Sequence, residues 1–232
     1  VIDSCNFIIE AYDSTESRKT KIAFNIESNK KVEFINCSFK SSLKYTPLIN
    51  LQNNVFSGLA SNVQAIVFTG SYTGSLLIEK CYFSEIFGIH SNHDTIISDT
   101  TFERVEMAIS SIGGKWNVNN IDISITRLTN SIYYHSFYIQ NSRGFTGANI
   151  NIEEVDSGLC GNHLHFYSVS SYANVDMVLS NVIFNSDIVG GISQVGVGVL
   201  QIDNITCTHK NESPFIVSKN GEMMINNANI YN

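Results

Sequence analysis

The sequence predicts an all-β fold, a parallel solenoid of about ten turns of roughly 22 residues each. Three observations carry this. One six-residue phrase recurs along the whole chain. Within each copy apolar residues sit two apart, which is the period of a strand. At one fixed place the alternation slips by a single residue, as a corner between two short strands requires.

The phrase is apolar at place one, polar or small at three, small or apolar at four and apolar at six. Its clearest copies are FINCSF (Phe34–Phe39) and IEKCYF (Ile78–Phe83). A copy at Phe56–Ser61 lies halfway between them, with Ser61 where the last apolar residue should stand. The others begin at Ile2, Ile97, Val118, Phe145, Leu179, Ile202 and Ile225. Two residues ahead of place one there is often a further apolar residue, as at Val32, Leu76, Trp116, Met177, Leu200 and Met223. Place three holds Asn36, Gly58, Asp99, Asn120, Gly147, Asn181, Asn204 and Asn227, with Ser4 and Lys80 as exceptions. Asn, Gly and Asp tolerate a left-handed backbone, and the polar side chains can bond neighbouring backbone groups. The corner belongs there.

A third strand is expected between corners. Candidates are Lys21–Ile26, Pro47–Leu51, Ala65–Phe68, Ile86–Ile89 and Met107–Ser110, then Phe137–Gln140, His163–Tyr167, Gly191–Val195 and Pro214–Val217. Turns stacked at the strand spacing of about 4.8 Å would make a rod roughly 45–50 Å long. Place six then forms a column of Phe7, Phe39, Phe83, Phe102, Ile123, Ile150, Phe184, Cys207 and Ile230. Place four stacks Cys5, Cys37, Leu59, Cys81 and their equivalents, small groups at a narrow corner. With Leu59 between them, Cys37 and Cys81 should lie about two turns apart and be unable to bond. Buried free thiols are expected, with Cys160 in a loop. The LxxLxL pattern of a leucine-rich repeat is absent, and a helical repeat would need apolar spacings of three and four.

An alternating strand, an asparagine corner and a second short strand resemble the right-handed parallel β-helices of the pectate-lyase-like superfamily. The resemblance covers nearly the whole chain and is one of architecture. It implies a right-handed coil and a structural ladder of corner asparagines, here Asn36, Asn120, Asn181, Asn204 and Asn227, backed by Phe39, Phe83, Phe102 and Phe184. Enzymes of that type cut acidic or complex glycans, either with calcium-holding aspartates and an arginine base or with clustered aspartates plus Gly-His-Gly and Arg-Ile-Lys motifs. This sequence has no Asp-Asp pair and neither motif. Its one acidic pair, Glu153–Glu154, would point to opposite faces of a strand. Gly190-Gly191-Ile192 resembles half of the paired phrase of bacterial polymorphic surface adhesins, but the FxxN companion is absent.

Composition narrows the function. The chain is 43% hydrophobic and 15% charged, which argues against disorder. Net charge is −7 with no basic stripe, so nucleic acid is not an expected partner. No apolar run is long enough to span a bilayer. The five cysteines show no metal-ligand spacing, so neither a metal nor another cofactor is expected. Residues 1–232 read as a single β-helix domain, an excerpt of a longer solenoid, with loop insertions near 10–20, 127–136 and 153–174.

The candidate glycan-binding patch lies in the region Arg127–Tyr172. It carries Arg127, Tyr133, Tyr134, His135, Arg143, His163, His165 and Tyr167, with Tyr138, Asp156 and Tyr172 nearby. A second group, His90 to Asp94 (HSNHD), is expected to be a solvated turn rather than a metal site. Asn211 is the candidate glycosylation site, because the sequons at Asn36 and Asn204 use corner residues. The expected function is a non-enzymatic structural or adhesive segment of a larger extracellular, cell-surface or virion-surface protein or filament. Glycans are a candidate ligand, and adjoining β-helix turns or a capping partner are expected at both ends. The alternative is a polysaccharide lyase or glycoside hydrolase acting through a groove formed by the 127–172 loops.

Overall fold

Alternating apolar residues and recurring corners give strands throughout. In the computed structural model of the chain, the structure describes residues 1–9, 21–41, 63–68, 71, 73–84, 86–105, 107–111, 113–125, 135–139, 143–154, 164–166, 176–186, 192–194, 197–209, 216–218 and 221–231. Among them there are only strands, turns and bends. The strands begin with β1 (Ile2–Asp3), β2 (Asn6–Ile9), β3 (Lys21–Asn25), β4 (Lys31–Ile35), β5 (Ser38–Ser41), β6 (Val63–Phe68) and β7 (Ser75–Glu79). They continue with β8 (Tyr82–Ser84), β9 (Phe87–Ser91), β10 (Asp94–Val105), β11 (Met107–Ser111), β12 (Lys115–Ile125), β13 (His135–Ile139) and β14 (Gly144–Glu154). The last are β15 (Leu164–Phe166), β16 (Met177–Ser186), β17 (Ile192–Gln194), β18 (Val199–His209), β19 (Ile216–Ser218) and β20 (Glu222–Tyr231).

They form two sheets, and the pairings within each are parallel. The larger runs β1-β4-β7-β10-β12-β14-β16-β18-β20, with β2, β5 and β8 joined beside it and onto β10. The smaller runs β19-β17-β15-β13-β11-β9-β6-β3 and collects the third strands. Pro47–Leu51 lies outside the described residues. Such an all-β arrangement is compatible with a β-helix.

Each rung of the larger sheet bends at one left-handed residue. Ser4, Asn36, Lys80, Asp99, Asn120, Asn149, Asn181, Asn204 and Asn227 all have φ between 49° and 57°. Ser4 and Lys80, the two exceptions by residue type, adopt the same conformation as the asparagines. Backbone bonding runs through the corners: Ser4 N–H donates to Ile35 O, Asn36 N–H to Glu79 O and Lys80 N–H to Ser98 O, all at 2.9–3.0 Å. Arg104 also has a positive φ, and the pairing of β10 with β12 shifts between Phe102 and Val105. Nothing in the sequence pattern announces that second slip.

Two expectations about register fail. The first is the halfway copy at Phe56–Ser61. β4 pairs directly with β7 (Phe34↔Ile78) and β5 with β8 (Phe39↔Phe83), so no rung lies between them. Residues 56–61 lie outside the described residues. Cys37 and Cys81 are therefore on adjacent rungs, not two turns apart. The second is the copy at Phe145. Trp116 pairs with Phe145 and Ile123 with Ile152, so the corner there is Asn149 and not Gly147.

With that correction the place-six column is continuous: Phe7↔Phe39↔Phe83↔Phe102↔Ile123↔Ile152↔Phe184↔Cys207↔Ile230. From Phe39 to Cys207 every member is buried. The rings of Phe39, Phe83 and Phe102 stack at 4.8 Å between successive centroids. The smaller sheet closes the core from the other side. Phe24 packs edge-on against Phe7 and Phe34, and Phe137 packs at a tilt against Phe145.

Candidate functional site

The corners concentrate the polar chemistry of the described residues. An asparagine there serves twice: it accepts the left-handed backbone, and its amide can both donate and accept. Asn227 Nδ2 donates to Asn204 Oδ1 (3.0 Å), Asn204 to Asn181 (3.1 Å) and Asn181 to Asn149 (3.0 Å). Asn149 then donates to Asn119 (3.0 Å), one residue off the corner. Further along, Asn120 donates to Asp99 (2.5 Å), and Asn36 to Asp3 (3.0 Å). All these amides donate in one sense along the stack. Asp3 and Asp203 are held below the usual carboxylate range, chiefly by hydrogen bonds from Asn36 and from Asn226.

Asn181 lies mid-ladder, so its replacements separate the two roles. Asn181→Gly keeps the left-handed backbone and loses two exposed hydrogen bonds. Asn181→Ala loses the bonds and adds backbone strain of about 1 kcal/mol. Denaturant titration should place the alanine variant below the glycine variant by about that amount.

Behind the ladder the first rungs hold a second motif that residue-type reasoning misses. Cys5 Sγ donates to Asp3 O (3.2 Å), Cys37 to Ile35 O (3.2 Å) and Cys81 to Glu79 O (3.4 Å). Thr100 Oγ1 donates to Ser98 O in the same way (2.8 Å). On these four rungs the side chain at place four thus returns a hydrogen to the carbonyl two residues earlier, which the aliphatic residues at that place on the later rungs cannot do. The cysteines are there as weak donors as well as small groups. Residues Cys5, Cys37, Cys81 and Cys207 are free thiols. Burial pushes Cys81 up to about 11 and Cys207 up to about 12. At pH 8 a thiol reagent should therefore modify Cys5, which is half-buried, well before Cys37, Cys81 or Cys207. Mass spectrometry of the labelled peptides checks the order.

The HSNHD group is not a solvated turn. His93 is buried and stacks on Phe68 at 3.9 Å, and among the described residues its Nε2 has no hydrogen-bond partner. His90 Nδ1 lies 2.9 Å from Ser110 Oγ. Burial holds both imidazoles below their ordinary pKa. Asp94 is exposed and accepts from the Lys115 backbone N–H (2.8 Å) and the Arg143 guanidinium (2.6 Å). The segment is a structural corner in which charge, ring stacking and backbone bonds join four successive turns. No group of three or more His, Cys, Asp or Glu suited to a metal occurs among the described residues.

Of the patch expected between Arg127 and Tyr172, the structure positions few side chains. Arg143 is committed to Asp94. His135 and His165 lie on neighbouring strands β13 and β15, where Tyr138 pairs with His165. Arg127, Tyr133, Tyr134, Asp156, His163, Tyr167 and Tyr172 lie outside the described residues, as do Asn211 and Cys160. The same holds for residues 10–20 and most of the two later insertions, although residues 135–136, 153–154 and 164–166 are in strands.

A feature that the sequence reading did not single out is an open groove of about 410 Å³ on the outside of the bend in β12, β14, β16 and β18. One wall is the amide ladder, from Asn120 to Asn204. The other is the outward residue two places on: Asp122, Asn151, Ile183 and Thr206, which pair in sequence across the four strands. No described helix is long and apolar enough to cross a membrane, which does not bear on strands. No protein family, curated protein or solved structure matches the chain.

Proposed function

We propose that the chain is a stretch of right-handed parallel β-helix, pectate-lyase-like in architecture, serving as a stiff, non-enzymatic structural or adhesive segment of a larger extracellular, cell-surface or virion-surface protein or filament. The general preference for right-handed crossovers between parallel strands supports the handedness. The observation that carries the reading is the use made of the polar side chains. Corner amides, carboxylates and thiols bond rung to rung or to their own backbone, and Arg143 is held by Asp94.

The same reading places adjoining turns or a capping partner against the outer rungs. Ile225 and Ile230 on β20 are 40% and 49% exposed, whereas their partners Ile202 and Cys207 are fully buried. At the other extreme of the sheet the inward residues Ile2 and Phe7 are only half-buried, whereas their partners Phe34 and Phe39 are fully buried. An uncovered apolar strand edge is an aggregation liability.

The test is incubation with a panel of acidic and neutral polysaccharides, with and without calcium, followed by product analysis. No new reducing ends and no unsaturated products are expected. Release of either would overturn the non-enzymatic reading in favour of a lyase or hydrolase using the 127–172 loops.

A further inference from the structure

We infer that the outer groove along β12, β14, β16 and β18 is a binding site for an extended, uncharged, hydroxyl-rich glycan chain. The inference deepens the adhesive reading, since it requires a glycan to be held and not cut.

The groove repeats. Its two walls offer one pair of side chains per rung, at the strand spacing of about 4.8 Å, close to the advance of one sugar unit in an extended glycan. Four rungs give it a length of about 14 Å between the first and last corners. Few ligands present polar groups at so regular an interval; a linear polysaccharide does.

The walls have hydrogen-bonding capacity to offer. A carboxamide has two N–H donors and two lone pairs on oxygen. At Asn181 and Asn204 the ladder uses one of each. The remaining donor and acceptor belong to exposed side chains held at fixed orientation. A sugar hydroxyl both donates and accepts, so vicinal hydroxyls match such an amide. The ladder pre-organises these groups, so little side-chain entropy remains to be lost on binding.

The middle of the opposite wall is apolar. Ile183 is 47% exposed, set between Asn151 and Thr206 on the neighbouring rungs. A large aliphatic side chain facing out among polar ones gives the C–H face of a pyranose a surface to lie on. The other outward residues in this column are short and leave room for a chain.

Charge decides the class of glycan. Among the described residues the lining contains no Lys or Arg, and its one charged residue is Asp122. The protein as a whole carries −7. Uronate, sulfated or phosphate-bearing polymers would meet repulsion here without compensation. The occupant is therefore neutral.

The test uses the whole chain and four neutral probes, the cello-, manno-, xylo- and malto-hexaoses, with hexagalacturonate as the anionic comparator. Binding is followed by calorimetry, with probes up to about 1 mM. At least one neutral hexaose should bind, and hexagalacturonate should bind more weakly than it does. Ile183→Glu should weaken the binding by about tenfold or more. Thr206→Lys, which narrows the groove from the next rung, should do the same and covers the case in which Ile183→Glu misfolds. Val178→Glu, an exposed site on β16 outside the lining, should leave binding unchanged. Absence of binding by all four neutral probes, or tighter binding of hexagalacturonate, overturns the inference. So does neutral binding that survives both groove variants, although an adhesive role elsewhere on the chain would then stand. Cleavage of a bound probe would instead count against the non-enzymatic reading.

Discussion

Replacing Phe83 by alanine is expected to cost about 3–5 kcal/mol, the range for removing a buried aromatic side chain. Its ring is fully buried between those of Phe39 and Phe102, both stacked at 4.8 Å and within 12° of parallel. The cost should fall at the upper end, because the neighbours cannot collapse into the hole. Their spacing is fixed by backbone hydrogen bonds from rung to rung, so the cavity stays open and both flanking rings lose contacts on one face. Guanidinium unfolding measures the total. Hydrogen exchange should localise it: amides of β7, β8 and β10 exchange faster, while those of β16 and β18 change little, since each rung contacts mainly its neighbours. Equal acceleration along the whole chain would contradict this.

Gly114→Ala should be nearly as damaging, at about 2–5 kcal/mol, for a backbone reason. Gly114 has φ +68°, in the left-handed region, where a side chain costs about 1–2 kcal/mol. A Cβ there would also run into the carbonyl of His93 and the amide nitrogen of Asp94. Both are main-chain atoms of the adjacent corner and cannot swing aside, and overpacking of that kind costs about 1–3 kcal/mol. Gly147→Ala is the contrast. A Cβ at Gly147 meets terminal methyls of Ile150 and Leu179 at 2.7 and 3.0 Å, and these can rotate. Its cost should be the smaller. Trp116, the sole tryptophan, is buried two residues from Gly114 and donates to Gly113 O. Its emission reports on this corner, and the Gly114→Ala variant should shift to the red at lower denaturant.

The strands and the inward column were legible because both sheets obey the simplest rule in the sequence, alternation by two. Phe34, Ile78, Ile97 and Val118 could be aligned from the phrase alone. The error at Phe145 shows the limit of that rule. A shift of two residues keeps the flanking side chains on their own faces and exchanges only Gly147 and Ala148, both small, so alternation gives little sign of it. Only the corner residue marks the register, and Gly147 fits a left-handed bend as readily as Asn149. The halfway copy at Phe56 failed for a different reason. A six-residue phrase is local, whereas membership of a rung depends on which strands pair, and β4 pairs with β7 across the whole intervening segment.

Chemistry was less legible than fold. The thiol-to-carbonyl bonds of Cys37 and Cys81 arise only once the corner is formed. The burial of His93 depends on Phe68, which lies 25 positions earlier in sequence and enters through the other sheet. The outer groove depends on residues from four rungs, none unusual in its own segment. Its one sequence sign is Ile183, an apolar residue at a place otherwise held by Asp122, Asn151 and Thr206.

The most direct test of the stacked-rung account is the set of proton–proton contacts among the rings of Phe39, Phe83 and Phe102, observed by NMR with phenylalanine-selective labelling. The account predicts ring-to-ring contacts for Phe39 with Phe83 and for Phe83 with Phe102. Contacts linking Phe39 to residues 56–61 in place of Phe83, or no ring-to-ring contact between the two, would contradict it.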